Sequence, residues 1–344
     1  MSKTRTGAYQ KKALRLLIGE LHTYLHGFFV NLLKINSMSQ SLSLLQLFEL
    51  FPDERSAEKW LEYQLWGKTV QCPRCSCSKS ISIRKNRKPM PYWCGACKKY
   101  FNIRTNTLME YSRIPLRKWI IAMYLFQTKP KGISSIQMQK DLGITQKSAW
   151  FLLQRLREAF DKKTVLFSGE VEVDETFMGG LRKNMSLKKR RATQSTAGRG
   201  VAGKFPIIGM KCRKTKKVVA KAIDTTDRET LHEFIYDHTT EDAIVYTDEH
   251  RGYRHLNREH HCILHSQYQY VNGEVHTNGI ESFWSGIKRA YKGTYHYMSQ
   301  KHLNRYVKEF TGRFNLKGWD VLDQMKWLFQ NMVGKQLMYR ELIT

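Results

Sequence analysis

Acidic residues are scarce in this chain. Asp and Glu number 30 against 58 Lys and Arg in 344 residues, a formal net charge of +28. Self-repulsion on that scale opposes a compact state unless an anion neutralises it, so a merely solubilising basic surface explains less than a nucleic-acid partner does. A wholly disordered basic tail is excluded in turn, because 41% of the residues are hydrophobic and 12% aromatic, enough to build substantial cores. Long uncharged apolar runs are also missing. Arg15, Glu20, His22 and His26 interrupt the one candidate, residues 13–35, whereas a membrane-spanning helix needs about 20 apolar residues. No small-residue cleavage site follows that stretch, which argues against a secretory signal peptide. It reads as an amphipathic helix, or else translation begins at Met38; deleting residues 1–37 is expected to leave activity intact. Internal repeats and oligomerisation motifs are absent, and no membrane partner is expected.

Length suggests about two folded units with a small module attached. Residues 1–39 stand apart as an extension. Residues 40–69 form a helical lead-in, with Leu42, Leu45, Phe48 and Leu50 before Pro52, then a second helix carrying Trp60, Leu61 and Trp66. Seven cysteines, an odd number, include the pairs Cys72-Pro-Arg-Cys75 and Cys94-Gly-Ala-Cys97 with 18 residues between them. Two such knuckles present four thiolates tetrahedrally to one structural zinc ion, and cysteine used this way fits a reducing cytoplasm better than a secreted disulfide scaffold. Residues 70–107 therefore read as a zinc ribbon, with Cys77 a bystander. So short a segment buries too little apolar area to fold alone, and zinc binding of about 10–16 kcal/mol makes up the deficit. Its basic side chains, among them Arg74, Lys79, Arg84 and Lys85, suit phosphates, although zinc ribbons also bind proteins.

Residues 113–162 read as a helix-turn-helix-like region, with Pro115 suited to a first helical turn. Within it Ser134 or Ser135 can cap one helix, Gly143 permits the turn and Thr145 can cap the next. Ala149, Leu152, Leu153, Leu156 and Phe160 make an apolar stripe, and Gln146, Lys147, Gln154 and Arg155 lie off it. Gln146, Lys147 and Arg155 are thus candidate DNA contacts, since a helix entering the major groove presents polar residues there. Helical hairpins with glycine turns also occur where no DNA is bound.

From residue 168 to 315 the pattern becomes strand-like and then alternates with helices. In GEVEVDETFMGG, Val171 and Val173 alternate with Glu170, Glu172 and Asp174, so one strand face carries carboxylates. Strands at 205–211 and 217–223, a helix over about 227–238 capped near Asp227, a strand from Ala243 to Tyr246 ending at Asp248, and a strand at 261–264 follow. A helix then buries Ile280, Phe283, Ile287 and Tyr291, with Asn278, Glu281, Ser285, Lys288 and Lys292 together on another face. One acid thus ends the first strand, one ends a central strand and one rides a later helix, and the order of a three-stranded meander, a helix, two more strands and a helix is what a ribonuclease-H-like core requires: an α/β fold with a mixed five-stranded sheet. Asp174, Asp248 and Glu281 there can converge on two divalent ions for in-line phosphoryl displacement, and oxygen ligands select Mg²⁺ or Mn²⁺. Taken singly, each of these acids would more simply be a turn former or a solvated side chain.

Between Arg182 and Lys204 eight basic residues occur without an acid, among them Lys188, Lys189, Arg190 and Arg191. A loop so charged is expected to pack no core and to lie on DNA. Lys288, Arg289 and Lys292 add charge beside Glu281. Trp284, Tyr291, Tyr295 and Tyr297 are most simply core, with stacking on unpaired bases the alternative. Residues 316–344 read as a C-terminal helical tail.

The segments VEVDETFMGG, VYTDEHRGY and HTNGIESFWSGIKR, preceded by the paired-cysteine ribbon, resemble DDE-type insertion-sequence transposases of the ISXO-two-like group, relatives of the eukaryotic Merlin transposases. The similarity spans roughly residues 40–315. It implies Asp174, Asp248 and Glu281 as the catalytic triad. Some relatives carry Asn at the third position; Glu281 favours an active enzyme. His276 and Asn278 match the motif just before that acid, where His276 would orient a metal-bound water, touch DNA or serve a structural role. The resemblance further implies binding of terminal inverted repeats and target DNA, strand cleavage and transfer, a homodimer or larger assembly, and a place at the bacterial nucleoid. The rival expectations are a ribonuclease-H-like nuclease without strand transfer and a DNA-binding regulator whose acidic domain is inactive.

Overall fold

The computed structural model describes residues 42–87, 90–161, 166–180, 184–192, 203–262 and 277–344. The candidate amphipathic stretch 13–35, the 1–39 extension and His276 lie outside them. No helix among the described residues is long and apolar enough to cross a membrane.

The first elements obey local signals. Ser43 and Asp53 each close a capping box, starting α1 (Leu44–Leu50) and α2 (Glu54–Trp66) by satisfying amides that have no partner within the helix. In α1 the buried residues are Leu47 and Leu50, while Leu45 is 74% exposed; the helix turns a different edge inward from the one its leucines suggest. The ribbon is a three-stranded antiparallel sheet, β1 (Ile81–Ile83), β2 (Tyr92–Cys94) and β3 (Lys99–Phe101). Its core is small: Cys72, Tyr92, Cys94 and Phe101.

Three helices follow: α3 (Leu116–Thr128), α4 (Ser135–Leu142) and α5 (Gln146–Glu158). Ser134 and Thr145 accept the capping bonds of α4 and α5 from Gln137 N and Ser148 N, and Gly143 takes the left-handed conformation between them. Two further helices, α10 (Val321–Gln330) and α11 (Tyr339–Ile343), come from the far end of the chain. Met325, Leu328, Phe329 and Met332 are buried with Trp119, Ile120 and Met123 in one core. The C-terminal segment is therefore no tail. Its apolar face completes a helical module that lies about 200 residues upstream, a pairing that periodicity alone does not reveal.

The five-stranded sheet has the order β6–β5–β4–β7–β8. It comprises β4 (Glu170–Met178), β5 (Phe205–Cys212), β6 (Val218–Ala222), β7 (Ile244–Thr247) and β8 (Glu259–Cys262). β4, β5 and β6 form an antiparallel meander, and β7 and β8 run parallel to β4. Helix α7 (Arg228–His238), capped by Asp227, packs on the face of Val171 and Val173. Helices α8 (Asn278–Ala290) and α9 (Gln300–Asn315) cover the other face. The fold is thus α/β with a mixed five-stranded sheet in ribonuclease-H-like order. Strand β8 begins earlier than its apolar residues suggest, because an edge strand with polar residues still pairs through its backbone. The basic segment after β4 is not wholly a loop either: Leu187–Ala192 forms a short helix, α6, with the four consecutive cations.

Candidate active site and metal centre

Asp174 stands in the middle of β4 and not at its end, because pairing with β5 carries the strand on to Met178, and the antiparallel register places it opposite Gly209. A Cβ at Gly209 would stand 2.6 Å from the indole of Trp284, so glycine leaves a slot through which the ring of α8 reaches the strand. Trp284 Nε1 donates to Asp174 Oδ2 at 3.0 Å. The parallel pairing of Glu172 with Tyr246, continued two residues along each strand, sets Asp174 beside Asp248. Glu281, exposed in the first turn of α8, is held from its own helix start by Thr277 Oγ1, which donates to Glu281 Oε1 at 3.1 Å.

Burial, then the neighbouring carboxylates of Glu175, Asp248 and Glu281, raises the Asp174 carboxyl to about 7. Three separate elements thus bring acids close enough to disfavour the ionisation of Asp174, and a divalent cation would relieve that repulsion. The three are not drawn together as tightly as zinc ligands: among the described residues only the four ribbon cysteines form a ligand group within 4.8 Å. A cleft of about 540 Å³ opens over Asp174 and Glu281, lined also by Trp284, Lys288, Arg289 and Lys292. Its rim is cationic and its floor anionic, an arrangement suited to a phosphodiester held over metal ions. Oxygen donors of this kind fit Mg²⁺ or Mn²⁺.

Two carboxylates beside Asp174 have structural partners that residue patterns do not disclose. Glu172, 2% exposed, accepts Ile280 N at 3.0 Å and Arg213 Nε at 3.1 Å. Glu175 points to the opposite face, where the Tyr253 hydroxyl donates to it and His250 Nδ1 lies 3.4 Å away. Burial raises its carboxyl to about 7 as well. His250 and Tyr253 belong to the turn after β7, and His250 N donates to Asp248 Oδ1 at 3.0 Å, so Glu175 anchors the turn that presents Asp248. The available signal for Glu175 is an acid at a position where alternation demands an apolar residue; for Glu172 it is an acid between two buried valines.

Four cysteines meet in the ribbon. Cys72 Sγ lies 3.7 Å from Cys97 Sγ, and Cys75 Sγ lies 3.6 Å from Cys94 Sγ. Those spacings exceed a disulfide's roughly 2.05 Å and approach the edge of about 3.8 Å expected of a tetrahedron with zinc–sulfur bonds of about 2.3 Å. The group could therefore hold zinc. Cys77 stays outside it, with its thiol against Ser80 Oγ at 3.3 Å.

The basic candidates divide. Gln146 and Lys147 are exposed at the start of α5. Gln146 Nε2 donates to Ser135 Oγ at 2.9 Å, and Lys147 Nζ lies 4.4 Å from the Tyr339 ring centre. Arg155 does not face solvent. It is 5% exposed, donates to the carbonyls of Glu110 and Leu337 and stacks on Phe151. Gln154 is fully buried beside it. The C-terminal segment covers what the sequence presents as the polar side of α5, so the assignment of Arg155 to DNA is corrected. Asn278, Lys288 and Arg289 are exposed on α8, as are Lys188 and Arg191 on α6, whereas Arg190 is half-buried with Nε donating to Met185 O; the Lys189 side chain lies outside the described residues. Trp284 is 2% exposed, and the Tyr295 hydroxyl donates to Glu309. Both rings are built into the interior, while Tyr297 is 67% exposed.

Comparison with known proteins accords with this arrangement. Residues 166–315 match the family model of the ISXO2-like transposase domain. A protein from Halobacterium salinarum, described as an uncharacterized protein in the transposable element ISH50, is 30% identical over 270 residues, covering 76% of this chain and 90% of the relative. With the sheet order and that extended likeness together, the chain belongs to the ISXO2-like transposase family.

Proposed function

We propose that this protein is a DDE transposase that binds the terminal inverted repeats of its insertion sequence and performs metal-dependent strand cleavage followed by strand transfer. The observation that carries the reading is the crowding of Asp174 by the carboxylates of Asp248 and Glu281, in a cleft where Asp174 and Glu281 face Lys288, Arg289 and Lys292. Bound Mg²⁺ or Mn²⁺ at the carboxylates would supply charge stabilisation and activate the attacking oxygen. Asp174 and Asp248 would offer oxygens from adjacent strands and Glu281 from the facing helix. The cations of α8 would hold phosphates of the flanking or target strand across the cleft, and no side chain need bond covalently to DNA. The zinc-loaded ribbon together with α4 and α5 would grip the terminal repeats, with Gln146 and Lys147 at the groove and the α6 cations Lys188, Lys189, Arg190 and Arg191 on backbone phosphates. Joining two ends calls for at least a dimer on DNA. Such a protein would work in the cytoplasm, on the nucleoid. Asn278, exposed at the start of α8, would stand at the opening of the same site, and His276 would serve as an accessory to it.

The direct test incubates purified protein with labelled terminal repeats and Mg²⁺. Nicking at the element's ends is expected, and Asp174→Asn, Asp248→Asn and Glu281→Gln should each lower it by at least about 100-fold, since these groups act as one unit. Unchanged nicking in any of the three would remove that residue from the site. Repeat binding with no wild-type cleavage would favour the regulator, and cleavage with no joining to target DNA would favour the nuclease.

A further inference from the structure

Helix α8 starts in an unusual way. Thr277 occupies its N-cap position, yet the Thr277 hydroxyl makes no capping bond and donates instead to Glu281 Oε1 at 3.1 Å. A capping threonine would ordinarily accept the amide two or three residues on. Here that amide, Ile280 N, is shared between the Thr277 carbonyl at 3.1 Å and Glu172 Oε2 at 3.0 Å, so the side-chain cap comes from β4, two residues before Asp174. The carboxylate also meets the positive end of the helix dipole. Its second oxygen accepts Arg213 Nε at 3.1 Å, and the Arg213 guanidinium lies 4.1 Å from the ring centre of Tyr246. Lys211 Nζ donates to Gly279 O at 3.2 Å. At Gly279 a Cβ would stand 2.5 Å from Glu172 Oε2 and 2.9 Å from Lys211 Nζ, so a side chain there would push the ends of both charged groups away from the helix start.

The geometry points to Glu172 and Thr277 as a paired positioning device for Glu281. Glu172 takes over the cap, which releases the Thr277 hydroxyl to orient the Glu281 carboxylate toward the strand that bears Asp174. Neither residue touches DNA or the reacting atoms; Thr277 is 2% exposed and Glu172 equally so. The inference rests on the reading of Glu281 as a metal-binding acid, and it gives Glu172 and Thr277 a task that a merely buried ion pair or helix start would not have.

Two measurements on the full-length, zinc-loaded protein test it. The first is amide hydrogen exchange at Ile280 in protein without added Mn²⁺. Glu172→Ala removes one of the two acceptors of this buried amide and leaves the Thr277 carbonyl, so exchange should speed about 2–10-fold, and Glu172→Gln, which keeps a side-chain acceptor, should recover part of the protection. The second is Mn²⁺ binding followed by electron paramagnetic resonance, with and without the element's terminal duplex. Outer-sphere partners of metal ligands typically govern about 10–100-fold in affinity, so Thr277→Val, nearly isosteric, should weaken Mn²⁺ binding by at least about 10-fold while Thr277→Ser retains it. Exchange unchanged in Glu172→Ala, or Mn²⁺ affinity unchanged in Thr277→Val while the wild type binds, would overturn the inference alone. A wild type that binds no Mn²⁺ under either condition would overturn the metal reading of Glu281, and with it the positioning role.

Discussion

Asp174 gathers more constraints than any other side chain in the cleft: a strand position, an indole donor and three neighbouring acids. Because its carboxyl is raised to about 7 in the folded protein, above the ordinary aspartate value of 3.8, the folded state holds a proton that the unfolded chain has lost between those values. Its contribution to stability is therefore fully present below about pH 4 and is lost as pH rises through about 7. Asp174→Asn should accordingly stabilise the metal-free protein at pH 8 by about 1–3 kcal/mol, taking about 1.36 kcal/mol for each tenfold difference in proton affinity and discounting for partial solvent screening. The gain should shrink toward pH 4.5, as urea denaturation at the two pH values would show. An equal gain at both would mean that the carboxyl titrates normally. The same proton competes with metal, so Mn²⁺ affinity should climb as pH passes about 7.

Helix α5 shows how an element's neighbours revise its faces. Gln146 and Lys147, at its exposed start, suit DNA; Arg155, two turns later, is locked into carbonyls of Glu110 and Leu337. Lys147→Ala should weaken repeat binding and reduce the salt slope by about 1, with the melting temperature little changed. Arg155→Ala should instead cost about 1–3 kcal/mol of stability, because buried acceptors lose a charged donor, while intact protein keeps its salt slope. Filter binding across a salt series, paired with thermal melts, checks both; a lowered slope in Arg155→Ala would return that residue to the DNA face. The caps of α4 and α5 are legible residue by residue, as Ser134, Gly143 and Thr145 act within a few positions of themselves. Burial of Gln154 and Arg155 is not, because the covering residues arrive about 180 positions later, Leu337 against Arg155 among them.

Across the whole molecule, the helical module and the α/β domain meet at a buried ion pair. Arg157 of α5 and Glu309 of α9 are 1% and 0% exposed, with Nε to Oε2 at 2.8 Å. Tyr295 and Arg313 also donate to Glu309, and Tyr306 lies under the Arg157 guanidinium. Breaking one side of such a pair strands a buried charge and costs about 3–5 kcal/mol. Glu309→Ala is thus expected to lower stability by that amount and to let the two parts unfold separately. Differential scanning calorimetry would show two transitions in place of one; a single unshifted transition would deny the pair this coupling role.

The sequence by itself determined the paired-cysteine ribbon, the ordering of the ribonuclease-H-like strands and helices, Asp248 at a strand's end and Glu281 at a helix start, because knuckle spacing, alternation and capping are local properties; that β4 runs on past Asp174 to Met178 depended on its pairing with β5. The basic excess points to nucleic acid on composition alone. Tertiary structure alone decided which polar residues keep solvent: it buried Arg155, folded the C-terminal segment into the helical core, and assigned Glu172 and Glu175 to the two elements flanking Asp174. Those outcomes depend on which distant surfaces meet, and contacts between residues a hundred or more positions apart leave no periodic trace in the chain that makes them.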